Sequence, residues 1–288
     1  MGLGAGLFDE LSKHYSQSVF LTSTRHPMDN ELLCEFKEDH SHATDHLIYL
    51  PSEPVMQQCI KQARTLVLID DEATTGNTFI NLVDALNASG KIPLLEQIIT
   101  VTLTDWSGDA VQLRSRLPVR ALSLISGCWH WEPIPDAPIP IMPAQLQNER
   151  APLPLSRQQT WGRLGMLAAV DNLGTGITTH AGEHILVLVS GEFTWQLFLL
   201  AERLEKQGAS VLFSTTTRSP IATGFAIRSS LTFMDNYGLG ISNFAYNVAH
   251  QQFDRILLCI ETPPESVDTQ LLQALSSVAP IVDIVVYE

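Results

Sequence analysis

From the amino end to about Trp131, short apolar runs alternate with stretches whose apolar residues recur at helical spacing. The runs at residues 19–24, 46–50, 66–70, 98–103 and 119–125 predict strands, and residues 6–14, 54–63, 77–89 and 108–116 predict helices. Unbroken Val, Ile and Leu runs suit strands covered on both faces, and their alternation with helices predicts a parallel sheet.

The pattern stops at Pro133. Seven prolines fall between Pro133 and Pro154. Each lacks an N–H donor and restricts the residue before it, which predicts a stiff linker over residues 133–156. The pattern then resumes. Residues 163–171, 193–207 and 267–278 read as helices, and 184–189, 211–215, 255–260 and 281–287 as strands. In the middle helix Leu197, Leu200, Ala201 and Leu204 share one face. The fold class is therefore α/β: a Rossmann-like parallel-sheet domain over 1–132, and a smaller α/β domain over 157–288.

Composition narrows the function. No apolar run of the 288 residues is long enough to cross a bilayer, and residues 1–15 lack a secretory signal. Cys34, Cys59, Cys128 and Cys259 stand singly, which argues against a disulfide framework or a zinc ribbon and suits a reducing cytoplasm. A net charge of -14 repels nucleic acid and anionic lipid, so neither is an expected partner. The same charge means that a phosphate-rich small molecule needs local Arg or Lys, or a Mg²⁺ ion carried in with it.

The most informative stretch runs from Leu66 to Thr78. An apolar strand ends in Asp70 and Asp71. A turn of small and hydroxylated residues follows, Ala73, Thr74, Thr75 and Gly76, and a helix pattern opens at Asn77 and Thr78. Ligands of open parallel sheets sit beyond the carboxyl ends of the strands. A helix amino terminus offers unpaired N–H groups and partial positive charge to an anion. The turn suits a phosphate, and the acid pair suits hydroxyls of the same ligand. A sugar phosphate fits.

These residues resemble the PRPP-binding loop of type I phosphoribosyltransferases. The resemblance implies that Asp70 and Asp71 meet the ribose 2′- and 3′-hydroxyls, that residues 73–78 wrap the 5′-phosphate, and that Mg²⁺ arrives with PRPP beside Asp70 and Asp71. Glu72 and Ala73 depart from the commonest pattern, and Glu72 adds negative charge beside the anion site. A core of this type begins with a strand, whereas Gly2 to Gly6 leads straight into a helix pattern. The sequence thus reads as if it starts inside the first diphosphate loop, with part of that loop cut away.

Three further constellations bear on chemistry. Arg25 to His46 occupies the chain position of the hairpin that folds over PRPP in such enzymes. It would supply Arg25 for the diphosphate, with His40 and His42 near the acceptor. His and Asp at this spacing are also metal ligands, but on an extended segment they point to mixed faces, which favours a substrate loop over zinc. Ser190-Gly191-Glu192 ends a strand and reads either as a glycine turn or as an anion or base site. Trp129 and Trp131 either stack on a base or, as we expect, seal the domain edge against the linker.

Thr217-Arg218-Ser219-Pro220 resembles the signature of the TRSP domain, which accompanies a particular phosphoribosyltransferase-like domain. The Thr24–Pro27 and Glu38–Ala43 stretches, the acid pair, and Asp235–Gly238 with Tyr246-Asn247-Val248 resemble the same family. It is associated with tellurium-resistance-type gene neighbourhoods and with making or modifying nucleoside-like compounds. The resemblance implies a transferase that moves ribose 5-phosphate from PRPP to an acceptor. Thr217, Arg218 and Ser219 would hold the acceptor or a second phosphate, and the enzyme would pair as a homodimer. A PRPP-sensing module without catalysis, or a ribosyl phosphate hydrolase, are the alternatives.

Overall fold

The structure is a computed structural model that describes residues 2–37, 46–135, 141–144, 162–168, 173–192 and 194–286. They fall into two compact units. One draws on Met1–Pro133 and Thr160–Ala169, the other on Ile134–Gln159 and Val170–Glu288. Both are α/β with parallel sheets, the class expected from the apolar pattern.

The first unit opens with α1 (Gly2–Ser12), not with a glycine-rich lead into a helix at residue 6. Gly4 is useful there: a Cβ on it would lie 3.3 Å from the Phe20 ring and 3.9 Å from Ile69 Cβ. The Phe20 contact is tighter than a Cβ usually makes, whereas the Ile69 contact would be an ordinary one. Residues 19–24, expected as a strand, make two isolated bridges and join no ladder. Phe20 bridges Met166 and Thr24 bridges Leu47, so successive residues find different partners. β1 (Leu32–Phe36) and β2 (His46–Tyr49) form an antiparallel pair in which Cys34 faces Ile48 and Glu35 faces Leu47. Residues 38–45, between these strands, lie outside the described residues.

After α2 (Pro54–Gln62), β3 (Thr65–Ile69) and the two-residue β4 (Glu72–Ala73) lie in line along one edge of β5 (Gln97–Asp105). β6 (Val119–Ser126) takes the other edge, and every pairing is parallel. Between them α3 (Asn77–Ser89) and the short α4 (Ala110–Arg114) bury Phe79, Ile80, Val83 and Val111 against Leu68 and Ile98. Full burial of each such side chain contributes about 1.5–3 kcal/mol. This packing fixes the end of β3 against the start of α3, where the acid pair and the small-residue turn sit.

The second unit holds a four-stranded parallel sheet. Its order is β12, β11, β7, β8, built from β7 (His184–Ser190), β8 (Ser210–Thr215), β11 (Arg255–Ile260) and β12 (Ile281–Val286). The chain moves outward from β7 in one direction to β8 and in the other to β11, so a topological switch point lies between β7 and β11. α5 (Trp195–Lys206) and α6 (Thr269–Ser276) cover the sheet. β9 (Ser230–Met234) and β10 (Ser242–Tyr246) form a separate antiparallel pair. Of the helix expected over 163–171, residues 163–168 hold only turns and a bridge and 169–171 lie outside the described residues; Gly165 has φ +83°, and Gly162 just before the stretch has φ +100°. A right-handed helix cannot pass through a left-handed residue.

Candidate functional site

β3 delivers Asp70 and Asp71 just beyond its last residue. The Asp70 N–H donates to Val101 O at 3.0 Å, so the acid leaves the sheet at a fixed point. Asp70 is half-buried and its Oδ1 accepts the Asp71 N–H at 3.0 Å, while the Asp71 carboxylate is exposed. Asp71 O accepts from both Leu103 and Thr104 N–H groups. The backbone under the acid pair is therefore clamped to β5, and the Asp71 carboxylate faces outward.

β4 then pairs with Thr104 and Asp105 and pins the next two residues. Glu72 does not lie loose beside the turn: its Oε1 accepts the Trp106 indole N–H at 2.7 Å. That bond holds the one acid that departs from the expected pattern. The Trp106 N–H closes the clamp by donating to Ala73 O at 2.8 Å. Trp106 was not singled out from the sequence; only its place directly after β5 could have drawn notice.

Thr74 and Thr75 are exposed at the tip of the turn. Thr75 Oγ1 accepts the Asn77 N–H at 3.3 Å, and Asn77 Oδ1 accepts from Arg114 Nη1 at 2.5 Å. Gly76 has φ +73°, and a Cβ on it would sit 2.5 Å from Val111 Cγ2. Glycine is required twice over, by conformation and by the close approach of α4. Gly76 at the N-cap position makes no side-chain bond to α3, Thr75 Oγ1 takes the Asn77 N–H, and no acid lies in the first turn of the helix. Its amino end keeps its partial positive charge, and Thr74, Thr75 and Thr78 bring hydroxyls to the same short segment. This segment can hold an anion while the Asp71 carboxylate accepts hydroxyl hydrogens.

Arg25 belongs to the same unit, half-buried in the bend after the Thr24–Leu47 bridge. His40 and His42 lie outside the described residues. Among those described, no group of three or more His, Cys, Asp or Glu is arranged to hold a metal ion. Trp129 and Trp131 are exposed and do not pack as a seal against the described residues. The four cysteines are free; burial pushes the Cys34 and Cys259 thiols up to about 12, so both are unreactive at neutral pH.

In the second unit the Thr217-Arg218-Ser219 stretch leaves β8 and is tied to β10. Thr217 and Phe244 exchange backbone hydrogen bonds at 2.9 and 2.7 Å. Thr217 Oγ1 accepts the Ser219 N–H at 3.1 Å, and Tyr246 O–H donates to Ser219 O at 2.9 Å. Arg218 is half-buried and Ser219 exposed. At the switch point, buried polar side chains form a chain: Ser190 O–H donates to Asn236 Oδ1 at 2.5 Å, and Asn236 N–H donates to Thr262 Oγ1 at 2.7 Å. Tyr237 O–H donates to Glu261 Oε1 at 2.6 Å, and Asp235 accepts from the N–H groups of Tyr237, Leu239 and Ile241. Glu261 and Thr262 were missed from the sequence, because their partners are distant in the chain; Asn236 was noted there only within the Asp235–Gly238 stretch, without a role.

Among the described residues, no helix is long and apolar enough to cross a membrane. Neither a curated protein nor a solved structure matches the chain. Two family descriptions do match: a phosphoribosyl transferase over residues 1–128, and the TRSP domain C-terminal to that transferase over residues 161–275. The clamped acid pair and the small-residue turn lie in the first span and the Thr217–Pro220 signature in the second, and the chain belongs to the family that joins a phosphoribosyl transferase domain to a TRSP domain.

Proposed function

We propose that this chain binds PRPP with Mg²⁺ and transfers ribose 5-phosphate to an acceptor, releasing diphosphate. The observation that supports it most is the turn from Thr74 to Thr78: exposed at Thr74 and Thr75, rich in hydroxyls, set at the amino end of α3 with no acid in its first turn, and adjacent to a rigidly held acid pair. In this reading Ala73, Thr74, Thr75, Gly76, Asn77 and Thr78 hold the 5′-phosphate. Asp70 and Asp71 orient the ribose hydroxyls, and Arg25 contacts the diphosphate. The bond from C1 to the diphosphate oxygen breaks with its electron pair leaving on diphosphate, and a bond from C1 to the acceptor forms. Positive charge gathers on C1 and the ring oxygen in between, as in other glycosyl transfers. Pre-set carboxylates near the ring stabilise that charge without reorganising.

Two neighbouring carboxylates are a hard-oxygen donor set of the kind that shares Mg²⁺ with substrate phosphates. Asp70 and Asp71 would hold the ion, which supplies charge neutralisation on the departing diphosphate. The acceptor, or a second phosphorylated group, is assigned to Thr217, Arg218 and Ser219, with His40 and His42 as further acceptor contacts. A guanidinium beside hydroxyls at the carboxyl end of a parallel strand suits a carboxylate or phosphate. A homodimer is part of the proposal, checked by sedimentation equilibrium.

The test is release of diphosphate from PRPP and Mg²⁺ over a panel of nucleobases and related amines. Release that depends on one acceptor supports a transferase. Release with water alone supports a hydrolase instead, and PRPP binding with no release under any acceptor supports a sensing module.

A further inference from the structure

We propose that residues 162–166 are part of the phosphoribosyl site, with Arg163 as a positioning residue for the Thr24-Arg25-His26 turn at its diphosphate end; this rests on the PRPP reading above. The stretch falls in the span that matches the TRSP domain, yet it folds into the first unit. Phe20 and Met166 exchange backbone hydrogen bonds at 2.9 and 3.0 Å, and the Thr22 N–H donates to Gly162 O at 3.0 Å. Contact is close enough to demand glycine. A Cβ on Gly162 would lie 3.1 Å from Phe20 Cδ1 and Thr22 Cγ2, and one on Gly165 would lie 2.8 Å from Met56 Sδ and Pro51 Cγ.

Arg163 follows the carbonyl that receives Thr22. It is 1 % exposed, the one buried Lys or Arg among the described residues, and it is bonded. Burying a guanidinium is costly unless it is paired, so a chain that keeps one there holds it in a specific arrangement. The segment that Gly162 ties down through the Thr22 N–H is itself buried and polar: Thr22, Thr24 and His26 are 5 %, 1 % and 5 % exposed. Thr24 Oγ1 accepts the His26 N–H at 3.1 Å, which shapes the bend that carries Arg25. Thr22 Oγ1, by contrast, is buried with no hydrogen-bond partner. A buried hydroxyl left unpaired costs free energy in the absence of a guest, and a polar ligand would relieve it. The location agrees. Phe20, two residues before Thr22, and Ile69, one residue before Asp70, both lie within 4 Å of the position a Gly4 Cβ would take.

The ligand chemistry is an anion joined to the ribose, the diphosphate of PRPP. Titration calorimetry on the full chain with PRPP, inorganic diphosphate and ribose 5-phosphate, each with Mg²⁺, separates the two ends of the substrate. Arg163→Met should weaken PRPP and diphosphate by about tenfold or more, leave ribose 5-phosphate within about twofold, and be partly rescued by Arg163→Lys. Thr22→Val keeps the shape and removes the unpaired hydroxyl. It should melt no lower than the wild type and still bind PRPP about fivefold more weakly. Variants that bind all three ligands as the wild type does overturn the proposal. So does equal loss of all three with a lower melting temperature in Arg163→Met, together with unchanged binding by Thr22→Val. A wild-type chain that binds none of the three overturns the PRPP reading itself.

Discussion

Gly76 carries the sharpest steric demand in the turn after the acid pair, with φ +73° and only 2.5 Å between Val111 Cγ2 and the place a Cβ would take. Gly76→Ala should cost about 2–4 kcal/mol, from the left-handed backbone and the overpacking against α4. The denaturant midpoint measures it, and an unchanged midpoint would mean that the turn is free to move. Glu72 shows how a single contact alters an expectation. Read from the sequence it only opposes an anion; bonded to the Trp106 indole it serves the clamp under the turn. That partner lies 34 positions away, so no local pattern could reveal it. The buried thiols make a prediction with a definite sign. The folded state holds the Cys34 and Cys259 protons up to about pH 12, against 9.0 for the ordinary thiol. The unfolded chain therefore releases them first, and this contribution to stability should fall as pH rises from 9.0 towards 12. Denaturant midpoints across that range check it, and a thiol reagent at neutral pH should label exposed Cys128 well before either buried thiol.

Elements were legible where an apolar run met a clear stop. β3, α3, β7 and β11 follow their patterns within a residue or so, since the strands are apolar runs with polar stops and α3 repeats apolar residues at helical spacing before Gly90. β1, β9 and β10 were not foreseen. Their sequences mix polar and apolar residues, and they exist as strands because each has an antiparallel partner. β4 is two residues long and is defined wholly by pairing with β5. The helix expected from residue 163 does not form over 163–168, where Gly165 takes a φ that only the folded contacts dictate. Within the site, the acid pair and the turn were readable as a linear motif. The partners that hold them, Trp106, Val111 and the β5 backbone, were not. α6 offers a test at this scale. Asp268 caps it by accepting the Gln270 N–H at 2.9 Å and also accepts the Met234 N–H at 2.7 Å. Asp268→Ala should destabilise the second unit by about 1–2 kcal/mol, read from its thermal transition.

At the scale of the whole molecule, each unit places polar groups beyond the carboxyl ends of parallel strands, the usual location for ligands in open α/β sheets. A net charge of -14 gives no general attraction for a phosphorylated substrate, so recognition depends on a few placed groups. Arg218 is one of those proposed. Arg218→Ala should lower turnover about tenfold or more while shifting the melting temperature by less than about 2 °C. A large fall in melting temperature with turnover intact would make it a structural ion pair. The central claim is that the turn after Asp71 is an anion cradle for a phosphorylated pentose. Titration calorimetry of PRPP with Mg²⁺ into the wild type and into Asp71→Asn with Thr75→Ala tests it most directly. The account predicts saturable binding by the wild type, weakened about tenfold or more in the double variant, with both proteins melting alike. Equal affinity in the two proteins, or no binding by the wild type, would contradict it.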